Sequence, residues 1–201
     1  MRRKAERGRY DFATVAAILD EGLIAHVGFM GAHGVCVLPM AFARVDDELY
    51  IHGAVGNAML RELSTGADVC ITVTLVDALV LSRSAFHHSM NYRCVVVVGE
   101  AVEVEDDQEK ARALRAVVDH TLPGRSDDCR GPNASELRTT RVIRVPITEA
   151  SAKVRSGPPI EDADDLATPF WGGEIPLVTT RGAPIADEHV PAGTASPAYG
   201  G

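Results

Sequence analysis

The residues best suited to chemistry are crowded into one stretch, Ser84-Ala85-Phe86-His87-His88-Ser89-Met90-Asn91-Tyr92-Arg93. It offers imidazole, hydroxyl, amide and guanidinium groups at close spacing. Cys94-Val95-Val96-Val97-Val98-Gly99 follows at once and reads as a core strand buried on both faces. A rigid strand that opens on a polar cluster can hold donors in fixed positions. A polar loop entering a core strand is the competing reading. Arg93 suits a bidentate pair with a phosphate, or else a surface ion pair. Asn91 both donates and accepts, as recognition of a heterocycle or a sugar chain requires. His87 and His88 come without a third metal-ligand motif, so they read as pocket lining.

A second group lies upstream. His52 sits late in a strand, directly before Gly53. It reads either as a proton-transfer group near neutral pH or as a packed, hydrogen-bonded histidine. The glycine-bearing loop Gly53-Ala54-Val55-Gly56-Asn57 opens a short helix and presents backbone N–H groups to an anion. Pro39, inside Leu38-Pro39-Met40, cannot donate to a ladder, so it marks a bulge or an edge and frees its neighbours' polar groups. Four cysteines at 36, 70, 94 and 129 lack Cys-x-x-Cys spacing, and the first three sit in apolar strands as buried thiols.

These groups need elements to position them. Asp11 caps a helix over 11–22, with Val15, Ile18 and Leu19 at helical spacing and Gly22 as its stop. Strands are expected at 23–30, 35–45, 49–53, 68–75, 78–84, 91–104 and 140–147. Helices are expected at 58–63 and 106–120, the second with Ala113, Leu114, Val117 and Val118 on one face, and a helical turn at 133–137. Hairpin-connected strands with few helices predict a mainly antiparallel β-barrel or sandwich. The domain plan is a basic arm over 1–10, one domain over 11–157, a docked arm over 158–178 and a disordered Pro/Gly/Ala/Ser-rich tail over 179–201.

Composition narrows the function. The chain has 201 residues, 46% apolar and 24% charged, with a net charge of −8. That balance suits a globular protein and argues against nucleic acid or anionic membrane as partner. No apolar run approaches the roughly 20 residues that span a bilayer, and the charged start leads into no signal-type core. A cytoplasmic location is the expectation.

The order of these motifs resembles the pyridoxamine 5′-phosphate oxidase-related flavoproteins, nearest the branch of nitroimidazole-resistance proteins. Phe86 to Gly99 resembles the central signature of that family. Leu38-Pro39-Met40-Ala41-Phe42 resembles its strand along the flavin ring edge. Leu49 to Gly53 with Gly56-Asn57 resembles the strand and loop near ring and phosphate, and Glu149 to Lys153 the segment after the last strand. The resemblance covers residues 8–157. It implies an antiparallel split β-barrel of the FMN-binding type, a homodimer, FMN at the subunit interface and a small-molecule substrate. It implies cofactor contacts from Leu38, Pro39, Met40, His52, Gly53, Asn57, Arg61, Ser89, Asn91, Tyr92, Arg93, Cys94 and Lys153, with His52 as the catalytic group. Two departures stand out: Arg61 is the first cation of the glycine loop, and Cys94 stands where serine is usual. An oxidoreductase is the expected function, and a flavin, deazaflavin or haem store the alternative. The C-terminal Arg-x-His pattern of true pyridoxamine phosphate oxidases is not found.

Overall fold

The structure is a computed structural model that describes residues 5–191 and 193–196. Part of the expected basic arm and the last residues of the expected tail therefore lie outside the described residues. Helix α1 (Phe12–Glu21) starts where Asp11 accepts the Thr14 N–H at 2.8 Å. It buries Val15, Ile18 and Leu19 and ends at Gly22. A Cβ on Gly22 would lie 2.2 Å from Val73 Cγ1, so the helix end is pressed onto a strand that only glycine admits.

Two antiparallel sheets follow. Their strands are β1 (Gly8–Arg9), β2 (Ala25–Gly31), β3 (Gly34–Met40), β4 (Phe42–Val45), β5 (Glu48–Ala54), β6 (Asp68–Leu81), β7 (Ser89–Glu100), β8 (Val102–Glu103), β9 (Thr140–Pro146), β10 (Glu149–Arg155) and β11 (Gly173–Pro176). The larger sheet runs β1-β10-β7-β6-β2-β3, with β11 also on β6. The smaller sheet runs β4-β5-β9-β8. Val27, Ile71, Val95 and Val97 of the first sheet and Leu49, Ile51, Ile143 and Val145 of the second close one core between them.

Four expected strands are corrected. The strand over 35–45 is two strands in different sheets, broken at Ala41. Pro39 lies on β3, an edge strand, where a residue without an N–H is tolerated. The strands over 68–75 and 78–84 are one strand, β6, in which a bulge between Val76 and Ala78 absorbs the polar Asp77. The strand over 91–104 starts at Ser89 and changes sheets after Glu100, where the fully buried Ala101 donates its N–H to Ala67.

Helix α2 (Ala58–Leu63) is capped by Asn57, whose Oδ1 accepts the Leu60 N–H at 3.2 Å, and buries Met59, Leu60 and Leu63. Helix α3 (Asp107–Thr121) covers the far side of the smaller sheet. There Tyr50, Val104, Ala113 and Val142 form a second, smaller core. The Tyr50 hydroxyl donates to Glu109 at 3.0 Å, and burial with this carboxylate pushes its pKa up to about 12. Helix α4 (Ala134–Thr139) opens on a reciprocal capping box between Asn133 and Glu136. Beyond it, α5 (Ala163–Leu166) and β11 lie in the C-terminal arm. No helix among the described residues is long and apolar enough to cross a membrane.

Candidate functional site

Strand alternation sorts the candidate residues onto two sides of the main core. On β7, Val95 and Val97 face the core, so Tyr92, Cys94, Val96 and Val98 face outward. Register then extends this outer face across the sheet. Pro39 stands opposite His26, His26 opposite Thr72, Thr72 opposite Val96, and Val96 opposite Ser151. A parallel row runs Val37, Gly28, Cys70, Val98 and Glu149. Thr74, Cys94 and Lys153 make a third. Lys153 Nζ sits 5.3 Å from the centre of the Tyr92 ring. Thus Pro39, Tyr92, Cys94 and Lys153, distant in sequence, share one face. That face also exposes Val35, Val37, Val98 and Met30.

His52 is elsewhere. It shares the parity of Tyr50, while Leu49 and Ile51 point into the main core, so it faces the α3 side of the smaller sheet. Within one chain the main core lies between His52 and the outer face that carries Pro39, Tyr92, Cys94 and Lys153. Its half-buried ring lines an open cavity of about 770 Å³. Leu114, Val117, Val118 and Pro132 give the cavity apolar walls, and Arg112, Arg115 and Arg130 give it cations. His52 Nδ1 is buried and has no hydrogen-bond partner. Burial pushes the imidazole pKa below its ordinary value and favours the neutral ring, whose lone pair suits a metal.

Several expected cofactor ligands have structural work. Arg93 is clamped by two carboxylates. Its Nε donates to Asp77 Oδ2 at 3.0 Å, and its Nη2 to Asp77 Oδ1 and Glu21 Oε1, each at 2.7 Å. These partners raise the Arg93 pKa, and Arg93 holds Glu21 below the usual carboxylate range. The clamp ties α1 to the bulge of β6. Asn91 is buried between Arg155 and Glu174, accepting from the first and donating to the second. Arg155 also donates to Gly157 O at 2.8 Å and Pro158 O at 3.2 Å. This network ties the C-terminal arm to β7 and β10.

Asn57 caps α2, and a Cβ on Gly53 would lie 2.9 Å from Leu60 Cδ1, so Gly53 lets α2 close onto β5. Arg61 stands exposed on α2, and Ser89 is exposed at the start of β7. Leu38 and Met40 share the inward parity of Val27 and Ala25, at the sheet edge.

Sequence reading missed Arg112, Arg115, Arg130 and Arg155. Arg112 and Arg115 are three apart on α3 and so share a face, a pattern legible in the sequence. Arg115 pairs with Asp127, and Arg130 with Glu136 at 2.6 Å. Arg112 makes no ion pair among the described residues.

The family profile described as pyridoxamine 5′-phosphate oxidase matches residues 11–154. Among solved structures, the flavocytochrome Anf3 from Azotobacter vinelandii is 38% identical with a TM-score of 0.91, covering 98% of this chain and 92% of that one. The FAD and haem binding protein from Mycobacterium smegmatis is 33% identical with a TM-score of 0.90, covering 95% of this chain and 94% of that one. A candidate 5-nitroimidazole antibiotic resistance protein from Bacteroides thetaiotaomicron is 25% identical, with a TM-score of 0.63 over 73% of this chain and 86% of its own. No curated protein matches the chain. A family match over most of the chain, with relatives named for flavin on the same fold, identifies it: the chain belongs to the pyridoxamine 5′-phosphate oxidase family of flavoproteins.

Proposed function

We propose that this protein is a homodimeric flavin oxidoreductase with two cofactor sites, a flavin on the outer face of the larger sheet and a haem in the cavity beside His52. The observation that carries the haem assignment is that His52, whose buried Nδ1 has no hydrogen-bond partner, lines a cavity of about 770 Å³ with apolar walls and arginines. The donor set fits: imidazole is a common haem ligand, and cations suit the two carboxylates that haem carries. Two relatives covering more than nine-tenths of this chain, one a flavocytochrome and one named for FAD and haem, support the pairing. The second of these, named for FAD, favours FAD over the FMN that the sequence resemblance implies.

A bound flavin supplies hydride and single-electron chemistry, and a haem iron supplies single-electron transfer. The chain's own residues hold and shape both sites. His52 stays neutral because burial disfavours its charge, which keeps a lone pair available. Arg112, unpaired among the described residues, is the cation free to meet an anionic group, while Arg115 and Arg130 already face Asp127 and Glu136. On the outer face Lys153 over Tyr92 combines a cation with an aromatic surface. The edge strand β3 offers unpaired backbone groups near Pro39 for a flavin ring edge.

The support for the dimer is the exposed apolar face with Met30, Val35, Val37 and Val98, a kind of surface that partners often cover. A second copy would cover the flavin and exclude water. The substrate class carried by this reading is a small flat or electron-poor molecule reaching the flavin at that interface. The test is cofactor analysis of the full chain as purified. Flavin released by denaturation is identified as FAD or FMN by chromatography, and haem is quantified as its pyridine complex. The reading expects both, near one per chain. A protein that retains neither when expressed with iron and riboflavin available contradicts it.

A further inference from the structure

Away from both sites, His87, Asp162 and Asp165 converge. Each offers one ligand atom, and the three atoms lie within 4.8 Å of one another. His87 ends the 3₁₀ turn Ala85–His87 between β6 and β7, whereas Asp162 and Asp165 belong to the C-terminal arm. The aspartates are three apart at the start of α5 and so share a face. Asp162 is the N-cap residue, yet its side chain makes no capping bond. It is turned to His87 instead, with Oδ2 3.2 Å from Nε2.

The arm is already registered here without help from these three. Glu161, beside Asp162, accepts from the Arg83 backbone N–H and guanidinium at 3.0 Å each. Strand β11 pairs with β6 from Leu81 to Ala78. The ligand set is therefore brought together by independent contacts.

We propose that His87, Asp162 and Asp165 form a surface site for a divalent transition cation of the zinc class, which staples the C-terminal arm to the β6–β7 turn. Two carboxylates at this separation repel, and a shared cation removes that repulsion. Ligand atoms around such an ion stand about 3.0–3.5 Å apart. The His87–Asp162 pair already meets that spacing, and the Asp165 carboxylate closes by a small side-chain movement. The imidazole selects against calcium and magnesium, which take oxygen ligands. Water completes the shell on the solvent side.

This inference is independent of the flavin and haem assignments. The full chain is titrated with Co²⁺ alone and with Zn²⁺ alone. Co²⁺ absorption reports ligation, and the fluorescence of Trp171, the single tryptophan, reports the arm. The expected result is one saturable ion per chain and a concerted change at Trp171. His87→Ala and Asp165→Asn each weaken binding at least about tenfold. His88→Ala, whose ring nitrogen bonds Ser84 O instead, leaves it unchanged. No saturable binding, or binding that survives both substitutions, overturns the site. Binding lost in those variants with Trp171 unmoved overturns the staple.

Discussion

The outer face of the larger sheet and the cavity beneath α3 are built in opposite ways. The outer face is a register of small and apolar side chains such as Val37, Cys70, Thr72 and Val98, open to solvent. The cavity is walled by the chain's own helix and loop, and its distinguishing atom is a buried nitrogen without a partner. A surface that lacks a cover suits a cofactor shared between two copies. A walled cavity with an orphaned imidazole suits one held within a single chain. The main core between them, from Val27 and Val95 to Ile51 and Ile143, lets each site change without remodelling the other.

The largest way to break the comparison is to charge the outer face. Val98→Lys places an ammonium in the proposed interface, and each uncompensated buried charge costs about 3–5 kcal/mol. Light scattering should show monomer in place of dimer, with flavin lost and the cavity intact. A dimer that persists with flavin bound moves the interface elsewhere.

The cavity side has its own tight point. Gly53→Ala drives a Cβ against the fully buried Leu60, and overpacking of this kind costs about 1–3 kcal/mol. Thermal unfolding should show the loss while the outer face keeps its flavin.

A smaller effect sharpens the assignment of Arg93. Its guanidinium is taken up by Glu21 and Asp77 at a half-exposed position, so Arg93→Ala should cost about 1 kcal/mol of stability. Flavin affinity should move little. A loss of flavin binding with stability unchanged would return Arg93 to the phosphate role.

The pH response separates the sides again. The folded-state pKa of His52 lies below the ordinary 6.5, because burial disfavours the charged ring. Between those two values the unfolded chain binds more protons, so stability rises with pH. The contribution is fully present above 6.5 and is lost as pH falls toward the folded value. Cofactor-free His52→Gln should lose less stability than wild type on acidification through that window, as read by denaturant midpoints. Equal slopes contradict the burial of a neutral His52.

Much of the fold was legible in the sequence because its signals are local. Asp11, Asn57 and Asp106 each cap a helix as their type predicts, and Pro39 lies on an edge strand. The partition into two sheets was not legible. Ala41 and Ala101, where the chain changes sheets, look like ordinary strand residues, and only long-range pairing reveals the crossing. The site divided likewise. Register joins Pro39, Cys94 and Lys153 on one face, although they are far apart in the sequence. The partners that occupy Arg93 and Asn91 come from α1, from the β6 bulge and from the C-terminal arm, contacts that no local pattern announces. His52 pointed to chemistry through its type, but α3, which defines its surroundings, follows some fifty positions later.

The central claim is that two cofactor sites lie on opposite sides of one core, with His52 serving only the one beneath α3. Cofactor content of His52→Ala beside the wild type tests it most directly, with flavin and haem quantified from the same purified samples. The account predicts haem reduced at least about tenfold, as loss of a metal ligand entails, and flavin per chain unchanged. Haem retained at the wild-type level, or flavin and haem lost together from a folded variant, would contradict it.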